Sequence, residues 1–311
     1  MVKNIKPDIS VNIGNLDLNN PVMVASGTFG YAEEFKGLID LNKLGAIVTK
    51  TITVKPRLGN LPPRTCETPS GMLNSIGLEN PGIDVFIEEK LPFLKKLGIP
   101  VIVSIAAEDS PEEFSALVSK LDKIGTVSAI ELNISCPNLQ KDRLISQDAK
   151  ATFALVSVVR KLTSKILITK LSPNVTCISD IAMAAEGAGS DALALINTLS
   201  GMSIDVHKCI PRLGAWEGGL SGPAVRPIAV KMVWEVYNKI KIPIIGMGGI
   251  MDTESALEFI LAGATAISVG TANFINPKAS LEIISGLRQY MADNGIANLN
   301  NLIGRLKECK D

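Results

Sequence analysis

Short apolar runs, rich in β-branched residues, recur along the chain and are separated by stretches with helical spacing of apolar residues. The runs predict strands at Val22–Ala25, Ala46–Lys50, Val101–Ile105, Ala129–Asn133, Ile166–Lys170, Ala192–Asn197, Pro243–Met247 and Ala266–Gly270. Near-continuous apolarity, rather than alternation, is expected of parallel strands buried on both faces. Helical periodicity predicts helices over Ala149–Leu162, Pro223–Ile240, Thr253–Leu261 and Ala279–Met291. Ser110-Pro111-Glu112-Glu113 reads as a capping box with Pro at the first helical position, opening a helix over Phe114–Ile124.

Eight alternating β/α units in 311 residues predict an α/β fold, a (β/α)8 TIM barrel, as one domain over residues 1–311. A doubly wound open sheet would place a G-x-G-x-x-G after the first strand, and none stands there. Ile9–Ile13 and Leu16–Leu18 flank Gly14-Asn15 and predict an N-terminal β-hairpin plug. Two connections, Thr51 to Pro81 and Thr198 to Gly222, are too long for plain barrel turns. Long loops in compact domains are usually functional, and both leave from the strand ends where barrel active sites lie.

Those ends are polar. They carry Ser26-Gly27, Thr49-Lys50, Asn133 with Cys136 just beyond, Lys170, Asn197-Thr198, Gly248-Gly249 and Gly270-Thr271. Polarity at one strand end is ordinary; polarity at this many ends predicts one functional rim. Glycines after the last two strands, with Ser221-Gly222 before a helix, suit a phosphate held by backbone N–H groups. Lys50 and Lys170 end apparently buried strands, so each either pairs with a carboxylate such as Glu131 or meets an anionic ligand. In Asn133-Ile134-Ser135-Cys136-Pro137-Asn138, two amides suit a planar polar substrate and a thiolate can act as a base. A buried Cys packing as a small hydrophobe is the other reading of that stretch.

Composition narrows the class. Lys+Arg and Asp+Glu balance at 31 each and aromatic residues are scarce, which argues against a nucleic-acid partner or an anionic membrane surface. No apolar run is long enough to span a membrane, and Met1–Asp8 lacks the apolar core of a signal peptide. Cys66, Cys136, Cys177, Cys209 and Cys309 are scattered, with no C-x-x-C spacing, so no metal site is expected on this chain. An odd, scattered cysteine count fits a reduced cytoplasm. The single histidine, His207, stands in a loop-like stretch and reads as an ordinary loop residue.

Longer blocks make a resemblance specific. Ala25-Ser26-Gly27-Thr28-Phe29-Gly30, Thr49-Lys50-Thr51-Ile52-Thr53 and Lys55-Pro56-Arg57-Leu58-Gly59-Asn60 are three of them. Pro62-Pro63-Arg64, Gly71-Met72-Leu73-Asn74-Ser75-Ile76-Gly77-Leu78-Glu79-Asn80-Pro81-Gly82, Asn133–Asn138, Lys170-Leu171-Ser172-Pro173 and Gly248-Gly249-Ile250 follow. Together they resemble the class 1 dihydroorotate dehydrogenases over nearly the whole chain, with wording most similar to the class 1B branch. The resemblance implies oxidation of dihydroorotate to orotate on FMN in de novo pyrimidine (UMP) biosynthesis. Cys136 would be the base, and Lys50, Asn74, Ser75, Ile76, Gly77, Leu78, Asn133, Asn138, Asn197 and Thr198 would surround the substrate. FMN would be held by Ser26, Lys50, Thr51, Ser104, Asn133, Lys170, Ile196, Gly222, Gly248, Gly249, Gly270 and Thr271. Lys170 would stabilise negative charge at the N1/O2 edge of the reduced flavin. Class 1B further implies a heterotetramer: a homodimer of this chain with two electron-transfer subunits that carry FAD and a [2Fe–2S] cluster and reduce NAD⁺. One departure stands out, because the family usually has Asn at Ser104 and Gly at Ala107.

Rival readings are a fumarate-reducing class 1A enzyme, another pyrimidine-reducing FMN barrel such as a dihydropyrimidine dehydrogenase domain, a dihydrouridine synthase, and a silent barrel used as a binding subunit. Absent iron–sulfur cysteines oppose the dihydropyrimidine enzyme and neutral charge opposes the RNA-directed one. An intact base and lysines oppose the silent barrel.

Overall fold

The computed structural model describes residues 6–108, 110–135 and 144–307. Strands β1 (Val11–Ile13) and β2 (Leu16–Leu18) form the expected hairpin, turning at Gly14 with φ +56°, a left-handed conformation that glycine adopts freely. A Cβ on Gly14 would touch Ile166 and Asp191, which begin the fifth barrel strand and precede the sixth. The hairpin therefore closes the N-terminal end of the barrel, with Val11, Ile13 and Leu18 fully buried.

The barrel is closed and parallel. Its strands run in chain order: β3 (Val22–Val24), β4 (Ala46–Val48), β7 (Val101–Ile105), β8 (Val127–Asn133), β9 (Ile166–Lys170), β10 (Ala192–Leu195), β15 (Ile244–Gly246) and β16 (Ala266–Val269), which returns to β3. All eight lie within the runs picked out from the sequence or overlap them. Helices cover the outside, and the helical spacing explains why. Glu112–Asp122 buries Phe114, Leu117, Val118 and Leu121, one apolar stripe, and Ala149–Arg160 buries Thr152, Leu155, Val156 and Val159. Asp252 caps the helix Thr253–Ala262 by accepting from the Ser255 N–H at 2.8 Å.

Three local expectations need correction. The capping box at Ser110 does not form: Pro111 stands at the helix start without a side-chain cap, and the Ser110 hydroxyl engages Glu112 instead. The stretch from Pro223 splits into a 3-10 turn, Pro223–Val225, and a helix, Arg226–Tyr237, because Pro227 re-enters the first turn. The two long connections are strands as well as loops. β5 (Thr65–Thr68), β6 (Gly71–Asn74), β11 (Leu199–Met202) and β14 (Glu217–Ser221) make one antiparallel sheet in the order β11-β14-β6-β5. A short hairpin of β12 (Ile204–Asp205) and β13 (Ile210–Pro211) extends from it and carries the exposed His207. The register Leu220↔Leu73 and Gly219↔Asn74 joins the second and sixth barrel units above the C-terminal strand ends.

Candidate active site

A cavity of about 640 Å³ opens between the C-terminal strand ends and the four-stranded sheet. That is within the size range of small-molecule sites. Barrel strand ends supply its floor and the sheet its roof. From the floor come Ser26, Lys50, Thr51, Asn133, Lys170, Ile196, Asn197, Gly248, Gly249, Ser268, Gly270 and Thr271. Asn74, Ser75, Ile76, Gly77, Leu78, Thr198 and Gly222 join them, and all of these but Ser268 were picked out from the sequence. Cys136 and Asn138 lie outside the described residues. Ser135, the last described residue before Cys136, is on the wall, so the chain reaches the cavity there.

Ser104 is the one described candidate that does not reach the cavity. After β4 the chain crosses the end of β7: Ile52 N–H donates to the Ser104 carbonyl at 2.9 Å and Ala106 N–H donates to Ile52 at 3.0 Å. Thr51 is thereby placed between Ser104 and the cavity, and the two hydroxyls lie 3.0 Å apart. Ser104, fully buried, supports Thr51 from behind.

A hydrogen-bonded chain ties the floor across the strands. Thr198 N–H donates to Asn197 Oδ1 at 2.8 Å, Asn197 Nδ2 donates to Asn133 Oδ1 at 3.3 Å, and Asn133 Nδ2 donates to Thr51 Oγ1 at 3.4 Å. Thr51 Oγ1 also lies 3.0 Å from Ser26 Oγ. In the roof Asn74 Nδ2 donates to the Gly219 carbonyl at 3.2 Å, and Asn60 Nδ2 donates to Ser75 Oγ at 2.7 Å. Asn80 holds the loop below. Its Oδ1 accepts from Thr53 N–H at 3.2 Å and Gly82 N–H at 2.9 Å, while its Nδ2 donates to Thr53 Oγ1 at 2.8 Å and the Leu78 carbonyl at 2.7 Å. Leu78, held at φ +55°, therefore keeps an unfavourable backbone only because its neighbours fix it.

At the opposite pole the backbone is bare. Gly222, Gly248 and Gly249 have φ of +98°, +127° and +82°. A Cβ on Gly249 would sit 2.7 Å from the Gly222 carbonyl oxygen, and one on Gly248 would sit 2.8 Å from the Ala229 methyl group. Only glycine fits at these positions, and all three glycines line the cavity. Thr271 Oγ1 donates to Ser221 Oγ at 2.8 Å and joins this pole to the roof.

Two ammonium groups line the cavity. Lys50 makes no ion pair among the described residues, and burial pulls its pKa below the ordinary 10.5, against the opposing pull of Glu79 and Glu34. Lys170 is 5 % exposed and lies 3.9 Å from Glu131 Oε1. Ser268 Oγ in the floor is buried with no hydrogen-bond partner among the described residues. Cavity, cation and orphaned hydroxyl together make a wall built to meet an anionic, hydrogen-bonding guest. Among the described residues no group of three His, Cys, Asp or Glu side chains could hold a metal ion.

Sequence reading missed Asn174, Ser268 and the sheet residues Thr65, Met72, Glu217, Gly218 and Gly219 on the wall. Asn174 Nδ2 donates to the Thr198 carbonyl at 3.1 Å and its Oδ1 accepts from Ser200 N–H at 2.9 Å, pinning β11 to the rim. The excess length of the two connections was the only signal for the sheet residues.

The family model described as "Dihydroorotate dehydrogenase" matches residues 8–291. A relative from Trichlorobacter lovleyi, named dihydroorotate dehydrogenase B (NAD(+)), catalytic subunit, is 53% identical over 304 residues, covering 97% of this chain and 100% of the relative. Proteins of the same name from Desulforamulus reducens and Geobacter sulfurreducens are 54% and 52% identical over 301 and 303 residues. Those alignments cover 96% and 97% of this chain and 99% of each relative.

Proposed function

This chain belongs to the dihydroorotate dehydrogenase family, and on that premise we propose that it is the FMN-containing catalytic subunit of an NAD-linked enzyme. It oxidises (S)-dihydroorotate to orotate in pyrimidine nucleotide synthesis. The carrying observation is that one cavity holds two unlike poles, a bare glycine cradle and an amide- and ammonium-lined end. That is the pairing a phosphate-bearing planar cofactor and a planar anionic substrate require.

The residues present fit FMN: Gly222, Gly248 and Gly249 line the cavity at positions where no side chain fits, and Lys170 and the orphaned Ser268 hydroxyl line its floor. Gly222, Gly248, Gly249, Gly270 and Thr271 would hold the phosphate. Ser26, Lys50, Thr51, Asn133, Lys170 and Ile196 would hold the ring and ribityl chain. FMN supplies a two-electron acceptor for the hydrogen and electron pair that leave C6 of dihydroorotate.

The chain's own residues do the rest. Lys50 pairs with the substrate carboxylate, and Asn74, Asn133, Asn138, Asn197 and Thr198 match the donors and acceptors of the pyrimidine. Ser75, Ile76, Gly77 and Leu78 close the wall and exclude water. Cys136 takes the C5 proton, leaving the C5=C6 double bond of orotate.

A second subunit carrying FAD and a [2Fe–2S] cluster would take the electrons on to NAD⁺, in an assembly of two copies of this chain with two such subunits. We place the enzyme in the cytoplasm; among the described residues no helix is long and apolar enough to cross a membrane. The chain works as one FMN-binding domain over residues 1–311.

The test is steady-state turnover of the purified chain with FMN. It should oxidise dihydroorotate with an artificial dye but not with NAD⁺. Rapid NAD⁺ reduction by the chain alone would refute the partner, and rapid fumarate reduction would move it to class 1A. Cys136→Ala should keep the yellow cofactor and lose ~10²–10⁴-fold in turnover; wild-type turnover would refute the base.

A further inference from the structure

Glu131 and Lys170 are the only charged side chains among the fully buried described residues, at 2 % and 5 % exposure. They are neighbours. Glu131 pairs in register with Ser104 on one side and Ile168 on the other, and Asn133, one pleat above it, pairs with Lys170. The carboxylate therefore lies inside the barrel, one layer below the cavity floor. Among the described residues its Oε1 has no hydrogen-bond partner, and the cation it pairs with, Lys170 Nζ, is 3.9 Å away, too far for a hydrogen bond. Lys170 lines the cavity and makes no other ion pair among the described residues.

A buried carboxylate oxygen without a hydrogen bond is costly, and such groups persist only when a charge offsets them or a function needs them. Hydrogen-bonding Lys170 directly would suit both charges better. The gap instead leaves Lys170 lining the cavity with Glu131 as a counter-charge beneath it. We propose that Glu131 is a positioning residue: its carboxylate holds the Lys170 side chain at the cavity floor and sets the electrostatic field felt by the cofactor ring. This rests on the FMN reading above. Its chemistry is specific, because a negative charge behind the ammonium opposes the gain of electrons by the cofactor, and removing that charge favours it.

The experiment is potentiometric titration of bound FMN in wild type, E131Q, E131D and K170M, with the thermal midpoint of each apo-protein measured alongside. E131Q, which keeps shape and loses charge, should shift the reduction potential upward, equivalent to at least ~10-fold tighter relative affinity for the reduced cofactor. K170M should shift it downward. E131D, with the charge kept, should stay near wild type, and it remains informative if E131Q fails to fold. An E131Q potential equal to wild type, with only a lower apo-protein midpoint, would overturn the inference and leave Glu131 a structural residue. An E131D potential that moves as E131Q does would overturn it too. If the wild-type chain binds no FMN, or dihydroorotate does not reduce it, the functional reading fails instead.

Discussion

Replacing Asn80 with Ala is the sharpest test of how the cavity wall is held. The side chain is 5 % exposed and makes four hydrogen bonds to the backbone and side chain of the loop around the cavity. Truncation orphans the N–H groups of Thr53 and Gly82 and the carbonyl of Leu78. Thr53 Oγ1 loses one donor but still donates to the Lys55 carbonyl at 2.6 Å. Three orphaned groups at about 1–3 kcal/mol each, partly recovered by a water entering the vacated space, amount to about 3–5 kcal/mol. With an unfolding entropy of about 2.1 cal/mol/K per residue, a chain of 311 residues loses about 5–8 °C in melting temperature. Asn80→Asp should do no better, because a carboxylate oxygen would then face the Leu78 carbonyl. Circular dichroism melts read the global loss, and amide hydrogen exchange at Thr53 and Gly82 reads the local one. The KM for dihydroorotate should rise with it, since Gly77 and Leu78 lose their anchor. A variant that melts within about 1 °C of wild type, with both amides still protected, would refute this account.

Lys50→Met should raise the KM for dihydroorotate ~10–100-fold at neutral pH, the value of a charge-assisted contact. Burial lowers the pKa of Lys50, so the free enzyme sheds this ammonium below pH 10.5 and the wild-type KM should climb with pH in that alkaline window. A pH–KM profile identical in wild type and Lys50→Met would exclude the contact. Asp252→Ala should cost about 1 kcal/mol through the lost helix cap. The hydrogen bonds from Ser255 hold the Asp252 pKa below 3.8, so its contribution is complete above that value and fades as pH falls through the lower folded value. Denaturation midpoints measured from neutral to acid pH should show this fading in wild type and not in Asp252→Asn.

The barrel was legible because its strands are buried on both faces. Val22-Met23-Val24 and Ala46-Ile47-Val48 have no solvent face to break the apolar run. The roof was illegible for the converse reason. β5 alternates exposed and half-buried positions in Thr-Cys-Glu-Thr, and β14, Glu-Gly-Gly-Leu-Ser, has low strand propensity, so neither announces itself. Their order comes from pairing across long stretches of chain, as with Asn74 and Gly219, which no local window contains. The helix Ile178–Gly187 escaped notice because alanines and glycine blur its apolar stripe. Ser104 was named from its place in a family motif, and a motif position does not say what crosses the end of its strand. The lining by Lys50, Asn74 and Lys170 followed from motif wording, whereas the separation of Lys170 from Glu131 needed coordinates.

The hydrogen-bonded chain across the floor has a direction. Thr198 N–H can only donate, which fixes Asn197 Oδ1 as acceptor and Asn197 Nδ2 as the donor to Asn133. Asn133 then donates to Thr51. The Thr51 hydroxyl, with one proton and two lone pairs, has three neighbours: Asn133, Ser26 and Ser104. Having accepted once, it can accept once more and donate once, so Ser26 and Ser104 must take opposite senses. A guest that accepts from Ser26 turns that hydroxyl outward, Thr51 donates to Ser26, and Ser104 must point its proton toward Thr51. A guest that donates to Ser26 leaves that hydroxyl free to give its proton to Thr51, and Ser104 then becomes the acceptor. The polarity of whatever fills the cavity is thus transmitted to a residue one layer behind the wall by the turning of three hydroxyl protons, without displacement of a heavy atom.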